Sequence, residues 1–81
     1  MLRFVDLTRG HRNACLITVL SSRPKFIVRF GRRQCFWELR AHLEHLGFRD
    51  VVITGQEGAF IYDDMNPDDA AFSDSTTVRV K

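Results

Sequence analysis

The sequence predicts an α+β fold in a single small domain, an antiparallel sheet of five or six strands packed on one helix. Three observations carry this. A clean alternation over Lys25 to Phe30 places Phe26, Val28 and Phe30 on one strand face. One stretch alone has helical period, with Phe36, Leu39, Leu43 and Leu46 on a single stripe. The chain has 81 residues, enough for one two-layer core and too few for a second domain or a large enclosed site.

In chain order, Leu2 to Leu7 reads as a short strand, and Thr8 to Asn13 as a polar turn. Ala14 to Leu20 has apolar residues on both faces, which suits a central strand covered on both sides or lying under a partner. Ser21 to Pro24 breaks it, and Lys25 to Phe30 follows as a half-buried strand with its aromatic face inward. The helix is expected from about Arg33 to Leu46. Gly47 suits the left-handed position just past its end, with Phe48 closing back onto Leu43. Val51 to Thr54 and Ala59 to Tyr62 read as a hairpin across the four residues Gly55 to Gly58. Residues 63–75 are an acidic loop containing Pro67, and Thr76 to Val80 alternates as a last edge strand. The order is β-β-β-α-β-β, with room for a sixth strand, and one domain over residues 1–81.

An apolar share of 44% beside a charged share of 27% excludes disordered and collagen-like classes. The net charge of +2 is uninformative until it is divided along the chain. Up to Arg49 there are ten basic residues against three acidic; from Asp50 onward there are seven acidic against two basic. Either the halves neutralise each other on folding, or each meets a partner. Two cysteines, Cys15 and Cys35, and no charged-then-apolar leader pattern at Met1 point to a reduced cytoplasmic protein. No apolar run reaches the roughly 18 residues of a membrane span, so no membrane partner is expected.

The residues offer no catalytic pattern. Nucleophile elbow, phosphate loop and metalloprotease helix are all missing, and Glu38 and Glu44 lie about 120° apart around the helix. An enzyme is not expected, nor a cofactor. His42 and His45 at i, i+3, with Cys35 upstream, match zinc spacings poorly. Asp64 to Asp68 opens like a calcium loop, but Asp69 stands where Gly is needed and Ser75 where the bidentate Glu belongs. No metal site is expected, and the segment reads as a solvated acidic loop.

The helix supplies a better lead. Trp37 falls roughly 150° from the apolar stripe, near Ala41 and Glu44. Tryptophan on an outer face suggests a partner-binding anchor, with Arg33, Arg40, Ala41 and Glu44 around it. The plainer alternative is that Trp37 is covered by the Thr8 to Asn13 turn or by the acidic segment. Arg32 and Arg33 stand at the helix start, where cations are unfavourable unless they hold an anion or pair with the aspartates of the same chain. With Lys25 and Arg29 they are candidate contacts to an anion or nucleic acid. Asp63, Asp64, Asp68, Asp69 and Asp74 form a candidate acidic contact loop able to imitate nucleic acid in a basic groove.

These features point to a small non-enzymatic interaction protein binding a protein or ribonucleoprotein partner. Size and layout are shared with the inhibitors that phages and mobile elements direct against host defence complexes, the anti-CRISPR proteins among them. The alternative expectation is a nucleic-acid-binding module using the basic first half. The doubly apolar strand Ala14 to Leu20 and the Ile27 face also leave homodimerisation through the sheet open.

Overall fold

Period-two and period-3.6 patterns resolve into five strands and one helix in a computed structural model, which describes residues 3–21, 25–55, 61–70 and 77–80. The elements are β1 (Arg3–Asp6), β2 (Ala14–Leu20), β3 (Phe26–Gly31), α1 (Phe36–His45), β4 (Val52–Thr54) and β5 (Thr77–Arg79). The strands form one sheet in the order β1-β3-β2-β5-β4, with α1 packed on one face.

The α+β class and the single helix on a five-stranded sheet are as predicted, but the sheet is mixed, not purely antiparallel. β2 pairs antiparallel with β3, and β4 with β5, whereas β1 runs parallel to β3 and β2 parallel to β5. The difference arises at β1, which lies beside β3 and not beside its chain neighbour β2, and at β5. Expected at an edge, β5 lies between β2 and β4, and Val78 and Val80 are buried under the helix while Arg79 faces out. It takes the place beside β4 that the expected hairpin gave to Ala59 to Tyr62. Of that run, residues 61–62 are not strand, and residues 56–60 lie outside the described residues, as do residues 71–76 of the acidic loop. The edges are β1 and β4.

Alternation places Cys15, Ile17, Val19, Val28, Phe30, Ile53 and Val78 on the inner face, all buried. From the helix, Phe36, Leu39 and Leu43 meet them, and the Phe36 ring stacks on Phe30 with centroids 6.0 Å apart. Each such fully buried side chain is worth about 1.5–3 kcal/mol relative to exposure. The helix carries the chain from β3 to β4 at the far edge, so it spans the intervening β2 and β5. β2 is central, as its composition predicts, but it is covered on one face only: Leu16 and Thr18 are exposed on the other.

The helix starts at Phe36, later than its composition suggests, because Gln34 has another task. Its Oε1 accepts from the Gly31 N–H at 2.6 Å and its Nε2 donates to the Leu7 carbonyl at 2.9 Å, so a buried amide has both ends satisfied. The helix end follows expectation. Gly47 has φ +96, its N–H donates to Glu44 O, and the Phe48 N–H donates to Leu43 O, which is the Schellman pattern. Leu46 falls in this turn and is exposed, while Phe48 packs on the core in its place.

Candidate interaction surfaces

The outer face of α1 is built from residues three and four apart. Trp37 and Ala41 are exposed there with Glu44, and Arg33 is exposed in the turn before the helix. Trp37 is 55% exposed. Both segments that might have covered it do approach the helix start: Arg9 pairs with Glu38 at 3.7 Å, and the Trp37 N–H donates to the Asp63 carbonyl at 3.0 Å. One engages the Glu38 side chain and the other the Trp37 backbone, and the indole stays open. That second bond also fixes Tyr62, 65% exposed, one residue from the backbone contact to Trp37. Sequence reasoning missed Tyr62, since it was assigned to a strand; only the tertiary contact reveals its neighbourhood.

Arg40 differs from its expected neighbours. Its Nε donates to both carboxylate oxygens of Asp63, at 2.9 and 3.1 Å, and its Nη1 donates to Val51 O at 2.6 Å. This is a clamp between the helix, the acidic loop and the entry to β4, and two of the guanidinium nitrogens, Nε and Nη1, are already committed within the chain.

The acidic loop is not simply solvated. Pro67 is fully buried, Met65 and Ala70 pack on the core, and the loop caps the helix with main-chain carbonyls: Phe36 N–H to Met65 O at 2.9 Å, and Trp37 N–H to Asp63 O. The free N–H groups that an anion at the helix start would use are therefore occupied. Arg32 is drawn into the same contact, its guanidinium 3.6 Å from Asp68 and its carbonyl accepting the Asp68 N–H. Asp63 and Asp68 thus join the acidic half to Arg40 and Arg32 of the basic half, so the two halves partly neutralise each other. Asp64 and Asp69 remain exposed, and Asp74 lies outside the described residues.

Of the candidate anion contacts, Lys25 and Arg29 continue one alternation on the outer face of the sheet. Arg29 and Arg32, with Arg12, Asn13 and Leu16, line an open depression of about 550 Å³ at the end of β2 and β3; Arg33 does not. Arg29 pairs with Asp6 at 3.3 Å. The Asp6 carboxyl is held below the usual range chiefly by the Thr8 hydroxyl, then by the Thr8 N–H and Arg29.

The depression does not pair a thiol with a base among the described residues. Cys15 borders the depression, but its thiol is buried, donates to Phe30 O at 3.6 Å, and has its pKa pushed up by burial. No histidine lines the depression. Among the described residues no three His, Cys, Asp or Glu side chains are grouped to hold a metal, and no helix is long and apolar enough to cross a membrane. Comparison of the chain with family models, with curated proteins and with solved structures finds no match in any of the three.

Proposed function

We propose that this chain is a non-catalytic interaction protein that binds a macromolecular partner through the outer face of α1, with Trp37 as anchor. The observation that carries the reading is the open indole on a backbone fixed at its own N–H by the loop that also holds Tyr62. Tryptophan and tyrosine are enriched in interface hot spots, and pre-ordering their backbone lowers the entropy lost on docking. Arg33, Ala41 and Glu44 form the surround, while Arg40 acts as a positioning residue that holds the loop against the helix. Two free thiols suit a reducing compartment, and a blocker of a protein or ribonucleoprotein defence complex is one form of this reading, by analogy of size and layout alone.

The test is capture from a lysate of the source organism with tagged wild-type chain and with Trp37→Ala, followed by mass spectrometry. A partner retained by the wild type and lost from a folded Trp37→Ala variant supports the reading, with a loss of at least about 30-fold in affinity for an anchor of this kind. Identical captured sets from two equally folded proteins would sink it.

A further inference from the structure

We infer that the outer face of the sheet, opposite the helix, binds a single-stranded nucleic acid. The strand registers set out the surface in rows. Phe4, Ile27 and Thr18 lie side by side across β1, β3 and β2; one row on stand Asp6, Arg29 and Leu16; beyond these the chain turns bring Arg12 and Arg32 around the depression. Successive rows are about 6.8 Å apart, two residues along a strand. Phe4 is 61% exposed and Leu16 59%, so the platform is apolar and open, with one aromatic ring at its edge.

Charge selects the occupant. Among the described residues, Arg12, Arg29, Arg32, Lys25 and Arg79 stand on or beside this face, against Asp6 and Asp68. Both carboxylates pair with arginines in exposed positions, where such pairs are worth about 0–1 kcal/mol, so a phosphate can take their place. Arg12 has no acidic partner within 4.0 Å among the described residues. A second copy is disfavoured here, because a two-fold contact would bring together two copies of a face on which the described cations outnumber the described carboxylates. A duplex is disfavoured too, since its π-faces are hidden and cannot stack on Phe4 or lie on Leu16 and Ile27. A single strand offers both exposed bases and regularly spaced phosphates.

The experiment is fluorescence polarisation of a labelled oligouridine of roughly twelve nucleotides with the full chain at low salt. Binding is expected to weaken with salt, with a slope of about −0.7 in log K per phosphate engaged, and Arg12→Gln and Arg29→Gln should each flatten it by about that amount. Phe4→Ala should cost about five- to a hundred-fold, as loss of a stacking platform does. Leu16→Glu, which puts a carboxylate in the depression at an exposed position, should abolish binding and covers the case in which Phe4→Ala disturbs β1. Trp37→Ala should bind as the wild type does, so this surface and the helix face fail or stand separately. Absence of binding below about 100 µM would overturn the proposal. So would a duplex bound as tightly as the single strand, indifference to Phe4→Ala and Leu16→Glu in folded proteins, or self-association removed by Leu16→Glu.

Discussion

The two faces of the sheet are made of alternate residues in the same strands, and they have opposite fates. Ile17, Val19 and Val28 face α1 and are sealed from water; of their neighbours in sequence, Leu16 and Thr18 are exposed on the opposite face and Ile27 is half-buried there. The inner face supplies the stability of the fold. The outer face carries apolar residues that folding does not require, flanked by arginines, and so is available for binding. The helix shows the same contrast in miniature, with Phe36 buried and the adjacent Trp37 open.

The sharpest way to break that comparison is to make one substitution on each face. Phe36→Ala removes a ring buried completely and stacked on Phe30, and should cost about 3–5 kcal/mol of stability. Phe4→Ala removes a ring of the same chemistry from the open face and should change stability by less than about 0.5 kcal/mol. Urea unfolding of the two variants beside the wild type measures both. Comparable losses would mean that the outer face contributes to the core and is not spare surface.

A substitution of intermediate size probes the place where the two faces meet, at the end of β3. A Cβ at Gly31 would lie 2.7 Å from Gln34 Oε1 and 2.8 Å from His11 Cβ. Gln34 cannot yield without losing its bonds to Gly31 and Leu7, so Gly31→Ala should cost about 1–3 kcal/mol, read from a thermal melt. A neutral result would show that the Gln34 amide is not a rigid part of the inner layer.

Much of the inner face was legible in the sequence because alternation and helical period report burial directly. Phe36, Leu39 and Leu43, the β3 alternation and the Gly47 ending follow from spacing alone. Position within the sheet was not legible, since Thr77 to Arg79 looks like any short alternating segment until its partners are known, and that hid the parallel pairing with β2. The candidate surfaces were half legible. Helical geometry put Trp37 outside, but Arg40 differed from its neighbours only through Asp63 and Val51, contacts distant in the chain. The basic first half was legible as a set of arginines, but which of them meet, Arg12 with Arg29 and Arg32 and not Arg33, followed only from the register of β2 and β3. The charge split, a property of the whole chain, resolved into particular pairs at Asp63 and Asp68 that no count of charges distinguishes from Asp64 and Asp69.

The smallest expected effect separates the two faces by pH. On the helix side, His42 Nε2 is secluded with no hydrogen-bond partner among the described residues, and its pKa is lowered, first by burial, then by His45 and by Arg9, which reaches across to pair with Glu38. Protonation therefore favours the unfolded chain. The stability associated with a neutral His42 is fully present above the ordinary histidine value of about 6.5 and declines as pH falls from there toward the lower folded value. On the sheet side, Asp6 has the opposite charge and a different window: its carboxylate is stabilised by Thr8 and Arg29, so its contribution holds above the ordinary value of 3.8 and is lost only as pH falls through the lower folded value. A melt series from about pH 7.5 to 5.5 should thus show a decline in wild type that His42→Leu reduces and Asp6→Asn leaves in place. Parallel profiles for wild type and His42→Leu would show that the imidazole reaches water, and with it that the helix side is less tightly closed than the buried Leu39 and Leu43 beside it imply.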